Sequence, residues 1–289
     1  MHDYKPRRVG KDKCVWEFGD PSPEVPERLK RVMLRRKKRD VLTELPPLTF
    51  RRLVVDVDRD ALKLCDAAMA EIERSGLDFE QAMELVDESR AGELDFTKIS
   101  AALSALAKVK APYALERADE FERTGTPVVF FAAHLSITEM LAKRKGWGAL
   151  VGGDKATGNF DGDPVSMKGP EVAKAFQSGR LDNITATIQY AGVGITLTRA
   201  SHAFLVEKLW NPAMNSQAIW RIERIGQENP MTVTDLVANH PLDIRMSEIL
   251  EKKIDLYAAT IDAAAVRPED LDKRENLVSD LLEAAKKTA

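Results

Sequence analysis

The sequence predicts an α/β protein: a parallel sheet with helices on both faces, preceded by a helical region and followed by a helical tail. Two observations predict it. From Gly125 onward, short apolar runs alternate with helical patterns, as in a buried parallel sheet covered by helices. From Asp60 to about Glu122, helix-forming residues dominate and no strand candidate of any length occurs. A chain of 289 residues is long enough to bury a sizeable core in one large domain or two small ones.

Taken in order, residues 1 to 26 read as irregular, because Pro6, Gly10, Gly19, Pro21, Pro23 and Pro26 interrupt any period, with Trp16 and Phe18 as candidate anchors. Glu27 to Leu42 turns helical, with Leu29, Val32, Met33 and Leu34 set among Lys and Arg, and the pattern stops at Leu45-Pro46-Pro47. RRLVVDV, 51–57, alternates as a strand does. Three Ala- and Leu-rich helices are expected at 61–72, 79–86 and 99–109, their apolar residues serving packing. Strands are then expected at 127–133, 148–152, 183–188, 203–207 and 231–238, with helices at 136–145, 170–178 and 216–225 between them. Connections of that kind make a parallel sheet whose ligands gather at the carboxyl ends of the strands. A further amphipathic helix is expected at 246–257, and the charged tail 260–289 reads as one or two helices.

Composition narrows the function classes. The net charge is only -3, yet residues 1 to 55 carry 15 Lys and Arg against 8 Asp and Glu, so the arm is basic and the remainder acidic. A basic arm suits nucleic acid or an acidic partner, and is equally compatible with a solvated face. Cys14 and Cys65 are far apart and the four histidines are scattered, so no metal-ligand spacing exists and no metal site is expected. The longest apolar run, Pro127 to Ala133, is far short of the ~20 residues of a membrane helix, and the N-terminus lacks the apolar core of a signal peptide. The reading expects a soluble, intracellular protein.

The stretch QAIWRIERIGQ, Gln217 to Gln227, carries the strongest chemical signal. As a helix it would place Gln217, Arg221 and Arg224 at i, i+4 and i+7, an amide and two guanidiniums on one face. That face can grip a phosphate; the same spacing also describes a solvated basic face. Gly192 and Gly194 in AGVGITLT let the backbone turn tightly beside a ligand or serve a plain turn. His134 lies just past the first apolar run of the sheet, and Ser136 with Glu139 reads as a capping box for the helix that follows. No G-x-x-x-x-G-K-[ST] sequence and no strand ending in paired acidic residues ahead of Met33 occur, so the parts that hold nucleotide phosphates and Mg²⁺ are missing from these residues.

WNPAMNSQAIWRIERIGQ, Trp210 to Gln227, resembles motif VI of the SWI/SNF-type helicase-like DNA translocases of helicase superfamily two, whose pattern is W-N-P, then Q-A, then R-x-x-R-I-G-Q. The same family is resembled by MLRRKKRDVLTELPP (33–47), which it carries between its two lobes, by LAKVKAPYALERADEF (106–121), its lead-in helix to the second lobe, and by AGVGITLT (191–198), its motif V. FFAAHLSITEML resembles motif IV, and GGDKATGN resembles a loop whose amides meet phosphates. The likeness covers roughly 27–257. Trp220 stands where the family usually has an acid, Glu223 where it has a His, and Tyr190 and Ala191 where it commonly has Ala and Gly; its usual arginine near the GGDKATGN loop is absent, with Lys168 the nearest substitute.

The resemblance implies a RecA-like sheet and divides the chain into a basic arm with the end of a first lobe at 1–50, a mainly helical linker at 51–122, a RecA-like C-terminal lobe at 123–257 and a helical tail at 258–289. It implies that Arg221 and Arg224 act as arginine fingers, that Gly192, Gly194, Gln217 and Glu207 line the ATP cleft, and that Thr187, His134 and Gly153 contact DNA. His134 as a structural histidine and Glu207 as the polar end of a strand remain alternatives. The implied cofactors are ATP and Mg²⁺, the latter held mainly by the missing lobe. The implied partners are double-stranded DNA and a separate first-lobe polypeptide with Walker A and B motifs. ATP hydrolysis is expected only together with that lobe. The competing expectation is a catalytically silent DNA-binding or adaptor module that retains the fold.

Overall fold

A computed structural model describes residues 5–8, 14–17, 24, 28, 31, 41–87, 95–152, 155–191 and 194–262. The chain separates into one unit of 1–43 with 251–289 and a larger unit, 44–250. In the first, β1 (Lys5–Arg8) and β2 (Cys14–Glu17) pair antiparallel, with Lys5 opposite Glu17, where the sequence reads as irregular. Four-residue strands are too short for a period to survive the surrounding prolines. Phe18, most of the 27–42 helix and of the MLRRKKRDVLTELPP segment, and the tail beyond 262 lie outside the described residues.

The larger unit is built on an eight-stranded sheet of order β3-β10-β9-β4-β8-β5-β6-β7. These are β3 (Leu48–Val55), β4 (Val128–Ala132), β5 (Trp147–Leu150), β6 (Thr157–Asn159), β7 (Pro164–Ser166), β8 (Asn183–Thr187), β9 (His202–Leu205) and β10 (Met231–Ala238). The first six strands in that order run parallel, and β6 and β7 extend the sheet antiparallel. Central β4 and β8 are buried at every residue; β4 is a continuous apolar run, whereas β8 buries Asn183, Thr185 and Thr187 between its apolar residues. The expected 51–57 strand is the edge strand β3, and it pairs in register with β10 over its whole length. The stretch between the strand expected at 148–152 and the helix expected at 170–178, for which no element was expected, holds the β6 and β7 hairpin; its strands are three residues long and β7 is exposed, so no apolar pattern announces them.

Helices α1 (Arg59–Ser75), α2 (Phe79–Asp87) and α3 (Phe96–Thr124) separate β3 from β4. Asp58 caps α1 by accepting from the Asp60 and Ala61 amides, and Gly76, in the left-handed conformation, ends it. The expected 99–109 helix and the lead-in segment 106–121 are one continuous helix. Pro112 sits inside it and denies Lys108 the usual helical donor, but packing holds the helix on both sides of the interruption. Ile99, Ala102, Leu106 and Val109 pack with α1, α2 and α8, whereas Ala111, Ala114 and Ala118 lie under Val128, Phe130 and Phe204 of the sheet. The remaining helices are α4 (Leu135–Ala142), α5 (Gly169–Gln177), α6 (Ile188–Ala191), α7 (Pro212–Ile219) and α8 (Pro241–Asp262). Val172, Phe176 and Leu181 around α5 cover the opposite face against Ile184 and Ala186.

Two boundaries differ from expectation in ways that matter below. α4 begins at Leu135 with His134 at its cap position, so Ser136 is inside the first turn and does not cap the helix. α7 stops at Ile219, six residues short of the expected end, so the two arginines stand on a turn beyond the helix.

Candidate nucleotide and nucleic-acid site

Adjacent strands β8, β4 and β9 deliver three of the expected residues to the carboxyl edge of the sheet. Ala132 pairs with Thr187 and Phe131 with Leu205, so the chain leaves β4 toward His134 beside Thr187 on one flank and Glu207 on the other. Strand connections depart to opposite sides of β4 here, which makes this edge the sheet's crevice. Thr187 is 9% exposed at the end of β8. Glu207, expected in the ATP cleft, joins His134: its Oε2 accepts the His134 backbone N–H at 3.1 Å and its Oε1 accepts the ring Nδ1. The carboxylate raises the His134 pKa above its ordinary value, against the opposing effect of burial.

His134 and Glu207 also border a cavity of about 270 Å³ that continues between α3, α8 and the segment after β9. Its walls are apolar, with Met83, Leu106, Trp210 and Met246 among them, and its polar lining includes Lys110 and Asp243. Lys110 Nζ is 2.7 Å from Asp243 Oδ2, which also accepts the Ala238 amide at 2.6 Å. Burial pushes the Asp243 carboxyl up, but Lys110, Lys208 and the Ala238 amide outweigh it and hold the group below its ordinary value. Lys208 bonds Asp235 and, at 2.7 Å, Ser247 Oγ.

The arginine segment is built from α7 outward. Asn211 caps α7 by accepting the Ala213 amide, Pro212 opens its first turn, and buried Asn215 ties it to both the N–H and the C=O of Leu209. Beyond Ile219 the regular helical pattern stops, the Arg221 and Ile222 amides donating three residues back to Ala218 and Ile219, and the Arg221 carbonyl accepts from Leu197 N at 2.9 Å. The turn closes at Gly226, whose φ of +96° suits glycine. Gln227 then anchors it: its amide donates to Ala200 O at 2.8 Å and Ile222 O at 3.3 Å, and its oxygen accepts the Glu228 and Asn229 amides.

Both guanidiniums consequently lie on the loop after α6. Arg221 Nε donates to Ala191 O at 2.6 Å and Arg224 Nη1 to Ile195 O at 3.1 Å. Burial lowers the Arg221 pKa and the charge of Arg224 lowers it further, so two like charges are held in one neighbourhood. Gly194 is in this loop; Gly192, and Gly153 after β5, lie outside the described residues. Gln217 is half-buried in the last turn of α7, on the helix proper and not on the turn with the arginines. The far end of the loop is braced by residues that the sequence did not single out. Gln177 donates to Thr198 Oγ1 and accepts the Arg199 amide, each at 3.0 Å, while Arg199 Nη1 reaches Leu181 O at 2.7 Å and its guanidinium lies over the Phe176 ring. Arg199 was visible only as an arginine following the glycine-rich stretch.

Paired guanidiniums suit the oxygens of a polyphosphate, an anion with several charges at short range. Among the described residues, no group of three or more His, Cys, Asp or Glu is placed to hold a metal ion. No described helix is long and apolar enough to cross a membrane.

No protein-family model matches the chain. It is 30% identical over 183 residues to the DNA repair protein RAD5B of Arabidopsis thaliana, covering 63% of this chain and 13% of that protein. It is 28% identical over 256 residues to the DNA annealing helicase and endonuclease ZRANB3 of Homo sapiens, covering 87% and 22%. It is 31% identical over 235 residues to the SWI/SNF-related matrix-associated actin-dependent regulator of chromatin subfamily A-like protein 1 homolog of Caenorhabditis elegans, covering 78% and 31%. The chain therefore spans less than a third of the length of these relatives. Among solved structures, the Sulfolobus solfataricus SWI2/SNF2 ATPase core in complex with dsDNA superposes with a TM-score of 0.51 at 18% identity, over 82% of this chain and 52% of that one, a likeness of fold.

Proposed function

We propose that this chain, which belongs to the SWI/SNF-related helicase-like family and carries the family's RecA-like C-terminal fold, works as the second motor lobe of an ATP-dependent double-stranded DNA translocase. Arg221 and Arg224 serve as arginine fingers toward ATP held by a first lobe bearing the Walker A and B motifs, which these 289 residues lack. Gln217 and Gly194 complete the nucleotide-facing side, and Gly192 is assigned the same role. Thr187 and His134 face the DNA backbone, and Gly153 is assigned a contact with it. Phosphate contacts position a protein without reading sequence, so binding is weakly sequence-dependent and strongly salt-dependent.

The observation that carries this reading is the bracing of both guanidiniums on the carbonyls of Ala191 and Ile195. It sets the two charges in fixed places, as stabilising a phosphoryl group in transfer requires. A solvated basic face would not have its arginines tied to a distant loop. When bound, ATP supplies the phosphoryl group, and Mg²⁺ neutralises part of its charge from the first lobe's ligands. The role of this chain is to present the guanidiniums and hold DNA.

The test is DNA-stimulated ATP hydrolysis by the purified chain, alone and mixed with a Walker-motif first lobe. Turnover is expected only in the mixture. Arg221→Ala or Arg224→Ala should reduce it by roughly 10³ to 10⁵ while DNA affinity is largely kept. An equal loss of DNA binding would sink the finger assignment, and DNA binding without turnover in any mixture would favour the silent adaptor.

A further inference from the structure

We infer that Glu207 is a positioning residue for a phosphate contact: it holds the His134 ring with Nδ1 as the donor, so that Nε2–H of the protonated ring is offered to a phosphate oxygen of a nucleic-acid backbone. This deepens the DNA-facing role proposed above and rests on it.

The geometry is two-pronged. One carboxylate takes both the backbone N–H of His134 and its ring Nδ1, so the two Glu207 oxygens are engaged by a single residue. The Glu207 side chain is 8% exposed and that of His134 is 41% exposed, so the bonded edge of the imidazole is enclosed while part of the ring remains open to solvent. The tautomer follows from the partner. An ionised carboxylate only accepts, so Nδ1 must carry the proton. In the neutral ring Nε2 is then a lone pair, which repels a phosphate oxygen. Protonation converts it to a charged donor, and the carboxylate favours that state.

The surroundings single out Glu207 as the cause. The other charged groups around the same cavity are Lys110 on α3, Lys208 after β9 and Asp243 on α8. Lys110 pairs with Asp243 and Lys208 with Asp235, so their charges are matched among themselves. Only Glu207 raises the His134 pKa, and burial opposes it. A helix-capping role does not account for the ring, since His134 occupies the cap position of α4 yet makes no side-chain cap bond. Thr187, expected at the same DNA backbone, ends the neighbouring strand in register with Ala132, which places a hydroxyl and an imidazole at one edge.

Two measurements on the full chain test the inference. The first is an NMR pH titration of the His134 ring, assigned by its disappearance in His134→Gln. The second is anisotropy of a labelled random-sequence duplex at low salt, from about pH 5.5 to 8.5, the range in which histidine titrates. Wild-type affinity should fall by about tenfold as His134 loses its proton, the worth of one charge-assisted hydrogen bond. His134→Gln should flatten the profile. Glu207→Gln should move the His134 titration and the binding midpoint together to lower pH, with affinity recovered in acid. Circular dichroism confirms that each variant folds. A Glu207→Gln protein whose His134 titrates as in the wild type, or whose binding falls by one factor at every pH, overturns the inference. A titration that shifts as expected in a chain that binds no duplex at any pH instead overturns the DNA-facing reading, and the phosphate contact with it.

Discussion

Removing the Asp243 carboxylate should be among the most damaging single changes available in the larger unit. Lys110 and Asp243 have side chains 3% and 6% exposed and are 2.7 Å apart. Asp243→Ala leaves an ammonium deep in the protein with no partner and strips the Ala238 amide of its acceptor. Breaking a buried pair from one side costs about 3–5 kcal/mol, a large share of the ~5–15 kcal/mol by which a domain is stable. With a urea m value of roughly 2–3 kcal/mol per M, the midpoint should drop by about 1–2.5 M at unchanged m. The double variant Lys110→Met with Asp243→Leu removes both charges and should be more stable than Asp243→Ala, losing mainly the hydrogen bond to Ala238. Urea unfolding followed by circular dichroism measures all three. A loss below about 1 kcal/mol for Asp243→Ala, less than one buried unsatisfied group costs, would refute the reasoning, as would a double variant worse than the single. The pH dependence has a definite sign. The folded Asp243 pKa lies below its ordinary value of 3.8, so its stabilisation is fully present above that pH and is lost as the pH falls through the folded value.

Gln227→Ala should cost about 1–3 kcal/mol, because the Ala200 carbonyl loses its buried donor. It should also reduce turnover of the reconstituted motor more than DNA binding, since the arginine turn loses its anchor; thermal melting and ATP hydrolysis of the same variant check both. Cys65 is fully buried and its thiol pKa is pushed up to about 12, first by burial and then by Asp243 and other nearby carboxylates. In a Cys14→Ser background it should resist a thiol reagent at pH 8 until urea opens the fold, and rapid labelling of the native protein would contradict the packing around α1.

Legibility in the sequence followed burial. β4, β5, β8, β9 and β10 fall within a residue or two of their expected places because interior strands rich in apolar and β-branched residues stand out from the helical segments between them. The β6 and β7 hairpin escaped notice because its strands are three residues long, β6 is Thr-Gly-Asn and β7 is exposed, so neither carries such a signature. The 216–225 helix was overextended for a different reason. AIWRIERI has helical composition, but the Leu197 amide, some two dozen residues away, takes the Arg221 carbonyl, and no local propensity registers that. The helix expected at 99–109 stops short of Pro112, a local breaker, while the packing that carries α3 past it is tertiary.

By itself the sequence determined the kinds of elements, their order, and the W-N-P and R-x-x-R-I-G-Q signature that marks the family, since periodicity and motif spacing are properties of neighbouring residues. Tertiary structure alone decided what those residues meet. His134 and Glu207 are 73 positions apart and become partners because β4 and β9 are adjacent in the sheet, and Arg221 finds Ala191 across 30 positions because α6 and α7 pack together. Strand order and helix packing are set by the burial of whole faces, a nonlocal quantity, so the side chains they juxtapose cannot be read from either segment alone.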